Sequence, residues 1–183
     1  MSRFPAHSPA GLLPPFEGGD PTVARSGRSP YSTDWAQLIA RFATSDRRRE
    51  LLRGLLDFRT SLRALGITNG FQWLTGSFVE VMSREPNDID VVTFFVLPPT
   101  LTQQVADAHR DLFDTRQTKP RFHCDAYFVT LATTPERLID GTIYWYGLFS
   151  HQRSTMAWKG FLQLPLLGER EDAAARALIG GVP

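Results

Sequence analysis

The chain of 183 residues has a single cysteine, Cys124, so neither an internal disulfide nor a cysteine-built zinc site can form. Disulfide scaffolds and zinc fingers fall away, and a reducing compartment is expected. Charge of one sign is also missing: 20 Lys plus Arg against 19 Asp plus Glu leave a net +1. That excludes a dedicated nucleic-acid coat or a polybasic membrane anchor, and any charge-driven binding has to be local. Lysine itself is scarce, since Lys119 and Lys159 stand among eighteen arginines, a skew that codon usage explains better than phosphate recognition. No segment approaches the ~20 consecutive apolar residues that span a bilayer, and Met1–His7 lacks the apolar run of a secretory signal. We therefore expect a cytoplasmic protein with no membrane partner. What is present is 42% hydrophobic and 11% aromatic residues in a length suited to one domain, which can bury roughly 70% of its unfolded surface.

Six of the thirteen prolines and four of the fourteen glycines lie in residues 1–30. Such density forbids helix and central strand, so residues 1–32 read as an extended arm, lying on the domain or disordered, and 33–183 as the domain. A short helix is expected over 33–44. A stronger one follows over 46–65, with Leu51, Leu52, Leu55, Leu56, Leu62 and Leu65 on one face and Gly66 where a C-terminal cap belongs. Its opening run Arg47-Arg48-Arg49 reads as a solvated face rather than a substrate contact. Strands are expected over 71–75, 88–97, 122–131 and 158–164. A helix opened by a Thr100/Gln103 capping box is expected over 100–114, and a closing helix over 169–179. Thr134-Pro135 looks like a cap and first helical turn, while Ile143–Phe149 suits helix or strand. Strands alternating with helices indicate an α/β or α+β fold.

The chemistry concentrates in Gly76-Ser77, ten further residues, and then Asp88-Ile89-Asp90-Val91. On a strand, residues i and i+2 share a face, so Asp88 and Asp90 project together while Ile89 and Val91 enter the core. Two adjacent ionised carboxylates repel unless a cation neutralises them, and hard oxygen ligands suit Mg²⁺ in company with phosphates. Gly76-Ser77 ends a strand. A short helix over Phe78–Ser83 would present free N–H groups to phosphate, and glycine lets a ligand approach the backbone. The competing reading is that Ser77 and Glu80 form a capping box that satisfies those amides internally. On a later strand His123, Asp125 and Tyr127 share a face, and Asp125 completes a three-carboxylate cluster if that strand lies beside 88–97. Cys124 points to the core, and His123 reads as structural rather than as a substrate contact.

This order, Gly-Ser, ten residues, Asp-Ile-Asp on a strand and a further Asp on a later strand, resembles the nucleotidyltransferase superfamily typified by DNA polymerase β and the kanamycin nucleotidyltransferases. The likeness is best over residues 46–131, and the Gly11-Leu12-Leu13-Pro14-Pro15 arm and Trp158-Lys159-Gly160 are similar to a small bacterial branch of it. The resemblance implies a minimal nucleotidyltransferase-like mixed sheet flanked by helices, and a reaction that moves a nucleoside monophosphate from a triphosphate such as ATP to a hydroxyl, releasing pyrophosphate. By matching position, Gly76 and Ser77 take the triphosphate, while Asp88, Asp90 and Asp125 are catalytic and hold two Mg²⁺, or Mn²⁺ in their place. Many relatives carry an Arg soon after the Gly-Ser turn. Here the first Arg is Arg84, so phosphate charge falls to Arg84, Lys159 or Arg153, and Glu80 would repel it. An exposed strand position is the competing reading of Lys159. Only 52 residues follow residue 131. The acceptor, a small molecule, protein or RNA, is then presented by a protein partner or a second copy of the chain, or held by Tyr144-Trp145-Tyr146, whose other reading is core packing. The alternative function is a non-catalytic nucleotide-binding or partner-binding component of a two-protein toxin/antitoxin or defence module.

Overall fold

The structure, a computed structural model, describes residues 4–18, 22, 27–81, 84–166 and 168–181. Helix α1 (Trp35–Phe42) is capped by Asp34, whose carboxylate accepts from Gln37 N–H. Helix α2 (Asp46–Ala64) starts at Ser45, whose hydroxyl accepts from Arg48 N–H. It ends in a Schellman turn: Ile67 N–H donates to Leu62 O and Gly66 N–H to Arg63 O, with Gly66 at φ +80°. The expected cap is therefore realised. Leu51, Leu52, Leu55, Leu56 and Leu62 are fully buried, each contributing about 1.5–3 kcal/mol relative to exposure.

Five strands, β1 (Tyr31–Ser32), β2 (Gly70–Thr75), β3 (Ile89–Phe95), β4 (Cys124–Thr130) and β5 (Leu162–Pro165), form one mixed sheet in the order β1-β5-β2-β3-β4. β3 runs parallel to β4 and antiparallel to β2. This is the expected α+β class, with six helices flanking the sheet among the described residues. The expected helix over 100–114 is broken: α3 spans only Gln103–Ala108 and a 3-10 turn follows at Arg110–Phe113. Thr102, not Thr100, caps α3, because its hydroxyl reaches Val105 N–H. A further helix not foreseen, α4 (Thr115–Phe122), carries Pro120 inside it, which obscured it in the sequence. It stops at His123, which takes the left-handed φ of 54°. Helix α5 (Pro135–Phe149) resolves the aromatic stretch as helix, and α6 (Glu169–Gly181) closes the chain. The strand expected over 158–164 shrinks to β5, with only an isolated bridge between His151 and Trp158 before it.

The pleat sorts the strands' side chains. Leu74, Ile89, Val91, Cys124, Ala126, Leu162 and Leu164 join the core beneath α1, α2, α4 and α6, whereas Trp73, Val92, Phe94 and Phe161 form a smaller aromatic cluster with Phe149 of α5 on the other face. A buried polar hub ties the first face together. Asp172 of α6 accepts from Trp35 Nε1 (2.8 Å) and Arg59 Nε (3.1 Å) and pairs with Arg63 (2.5 Å). Arg59 also donates to Gln72 (3.0 Å), which donates to Thr93 (3.1 Å). The arm lies on the domain: Phe4 and Leu13 are buried, Phe4 stacks on Phe42, and Gly160 N–H donates to Leu13 O. Among the described residues no helix is long and apolar enough to cross a membrane.

Candidate functional site

Four helices cover one face of the sheet and α5 only part of the other, so a cleft stays open where β2 ends and β3 and β4 begin. Its volume is about 670 Å³. Strand register builds its floor. Thr75 is paired with Asp90 across the antiparallel ladder, and Asp90 with Asp125 across the parallel one, giving one row over three strands. Asp88 lies two residues upstream on the same face, and all three aspartates line the cleft together with Gly76, Ser77, Arg84 and Lys159. Cys124 lies on the opposite face, fully buried, and burial pushes its thiol pKa up.

Gly76 is at φ +76°, a conformation that L side chains rarely adopt, and a Cβ built there would overlap Asp90 Oδ2. The Asp90 carboxyl thus rests directly on the glycine. The chain then makes a 3-10 turn at Gly76–Val79, shorter than the helix expected over 78–83; Met82 and Ser83 lie outside the described residues. The Ser77/Glu80 capping box does not form. Glu80, only 6% exposed in its side chain, pairs instead with Lys159 at 2.5 Å and accepts from Gln152 at 3.1 Å. Lys159 is 3% exposed in its side chain and also donates to Gly76 O at 3.3 Å. The exposed-strand reading of Lys159 is corrected: its charge is spent on Glu80 beneath the turn, which also removes the expected repulsion by Glu80.

The arginine run corrects another expectation. Arg48 is buried and donates to Phe78 O (2.7 Å) and Glu80 O (2.9 Å), and Arg47 donates to the carbonyls of Pro86 and Asn87. Rather than a solvated face, Arg47 and Arg48 clamp both ends of the loop that joins the Gly76 turn to Asp88. Arg49 is mostly covered as well, 13% exposed in its side chain, pairing with the exposed Asp46 and donating to Ala43 O.

Burial, then the charges of Asp88 and Asp125, push the Asp90 carboxyl up to about 6, while Arg153 and Lys159 pull it back. Lys119, at the end of α4, places its ammonium 2.5 Å from Asp88 Oδ2 and 3.7 Å from Asp125 Oδ2. Its pKa is raised, first by the hydrogen bond to Asp88. Tyr127 follows Asp125 by two residues on the same strand face, and its hydroxyl pKa is raised by burial first and then by Asp125. Trp145 of α5 packs on Tyr127 with ring centroids 4.4 Å apart, and both rings line the cleft. His123 faces Glu50 instead, at 3.2 Å, and takes no part in the lining.

Among the described residues, no three His, Cys, Asp or Glu side chains are arranged to hold a metal ion as they stand. Lys119 was missed in the sequence because it sits on the unforeseen helix, while Arg153, one of three cations expected to meet phosphate, is brought near Asp90 by the loop after α5. Tyr127 was legible, because it shares a strand face with Asp125.

A family model described as a family of unknown function, DUF6932, matches residues 5–165. No curated protein and no solved structure matches the chain.

Proposed function

The chain belongs to DUF6932, a family of unknown function, and from its cleft we propose a nucleotidyltransferase that moves a nucleoside monophosphate from a triphosphate to a hydroxyl acceptor in the cytoplasm. The observation that carries this reading is the row Thr75–Asp90–Asp125 with Asp88 beside it, facing a glycine turn at the same end of the sheet. The donor set fits Mg²⁺ or Mn²⁺: the ligands are hard oxygens, and burial together with their mutual negative charge already raises Asp90. Asp88, Asp90 and Asp125 would hold the metal, which would neutralise charge on the phosphates and lower the pKa of the acceptor hydroxyl.

The residues of the chain supply the rest. The Gly76-Ser77 turn offers backbone N–H groups to the phosphates, and Arg84 and Arg153 line the same cleft with positive charge. Tyr127 and Trp145 present ring surface for a nucleobase or an aromatic acceptor. Asp125 accepts the proton of the acceptor hydroxyl while the acceptor's oxygen bonds to the α-phosphorus and the bond from the α-phosphorus to pyrophosphate breaks. Lys159 supports the turn from below through Glu80.

The test is incubation with each α-labelled nucleoside triphosphate and Mg²⁺ or Mn²⁺, alone and with bulk RNA, protein extract or small hydroxyl compounds. Expected are pyrophosphate release and label transfer that disappear in Asp90→Asn. Triphosphate binding without release in any mixture would favour the second reading, a nucleotide-binding component of a two-protein module; the lysine already bridging two of the carboxylates speaks for it. Absence of both metal and nucleotide binding would defeat both readings.

A further inference from the structure

Three carboxylates facing one cleft need positive charge, and the chain supplies one from within. Lys119 comes from the last turn of α4, with Nζ 2.5 Å from Asp88 and 3.7 Å from Asp125. Asp90 also contributes to its electrostatic field. The other cations near Asp90 differ in kind: Lys159 is held by Glu80, and Arg153 arrives from the loop after α5. Lys119 therefore bridges two of the three residues that a divalent ion would need.

We infer that Lys119 is an ionic latch on the carboxylate site, docked between Asp88 and Asp125 when the site is free of metal and displaced when a divalent cation enters. This rests on the metal-site reading above. The latch is built to open. The Lys119 side chain is 51% exposed, and its ammonium is a point charge on a flexible four-carbon stem, unlike the planar fork of an arginine. The carboxylates are more covered, 15% and 19% exposed in their side chains, so a competing divalent charge rather than solvent screening opens the pair. A divalent ion carries twice the charge to the same oxygens, and the two cations repel at a few ångströms, so their occupancies exclude each other. Latching prevents the aspartates from repelling one another in the empty site and sets the metal concentration at which it fills. The released ammonium stays at the rim of the same cleft, where a polyphosphate would meet it.

The experiment is calorimetric titration of the full chain with Mn²⁺, without nucleotide, for the native protein, Lys119→Met and Lys119→Arg. Removing one positive charge at this range should tighten Mn²⁺ binding roughly tenfold in Lys119→Met, while Lys119→Arg stays near the native value. Equal affinity in the native protein and Lys119→Met overturns the latch and leaves the metal site standing. Weaker binding in Lys119→Met also overturns it, by making Lys119 a builder of the site. No Mn²⁺ binding in any of the three overturns the metal-site reading and the latch with it. A second measurement reads the lysine directly. Lys119 and the buried Lys159 are the only two lysines, so reductive ¹³C-methylation labels Lys119 and the N-terminal amine, and the resonance missing from labelled Lys119→Met is that of Lys119. Its methyl resonance should move on titration with Mg²⁺, with the midpoint that a parallel Mg²⁺ calorimetric titration gives, and an unmoved resonance at saturating metal overturns the latch.

Discussion

Replacing Asp90 by Asn removes a carboxylate that the metal-free fold holds at a cost, and the size of that cost follows from its titration. Its carboxyl is raised from 3.8 to about 6, by burial and by Asp88 and Asp125. In the unfolded chain the group ionises near its ordinary value, so the folded protein binds this proton more tightly. Its contribution is fully present below pH ~4 and is lost as pH rises through about 6; above that the ionised group costs about 3 kcal/mol. Between pH 5 and pH 8 the loss amounts to about 1.4 kcal/mol, because part of it has already occurred at pH 5. Urea denaturation of the native protein and Asp90→Asn in chelator across that range measures it. The stability of the native protein should fall relative to the variant by that amount as pH rises, leaving the variant the more stable of the two at pH 8. Adding Mg²⁺ at pH 8 should recover stability in the native protein only. Parallel pH profiles, or a less stable Asn variant at pH 8 in chelator, would refute the account of Asp90 as a carboxylate awaiting a cation.

The other expectations concern buried charge. Lys159→Met strands Glu80 as a buried carboxylate under the Gly76 turn and should cost about 3–5 kcal/mol in urea denaturation; replacing Glu80 by Met as well should recover most of the loss. Asp172→Ala strands Arg59, which is 2% exposed, and unties α6 from α1 and α2; a loss of about 3–5 kcal/mol is expected in the same assay, far from the cleft and without change in Mn²⁺ affinity.

Much of the architecture was legible along the chain because its signals are local. The α2 leucines repeat at helical spacing, Gly66 closes the helix with a φ of +80°, and Ile89 and Val91 alternate with Asp90 on a strand. Helix α4 was not legible, since Pro120, in its last turn, counts against helix in any window. The clamp by Arg47 and Arg48 was not legible either. Its acceptors are backbone carbonyls thirty to forty residues away, which carry no sequence signal.

The same division runs through the site. That Asp88 and Asp90 share a face follows from the two-residue period of a strand, and that position 76 must be glycine is foreshadowed by the turn it makes. That Asp125 stands beside Asp90 depends on the parallel register of β3 and β4, set by the long α3–α4 crossover between them. Which cation answers the three carboxylates, and that Glu80 and Lys159 cancel beneath the turn, were decided only in three dimensions. Alternation and helical spacing act between neighbours in the chain, whereas charge compensation acts between whatever side chains packing brings within a few ångströms.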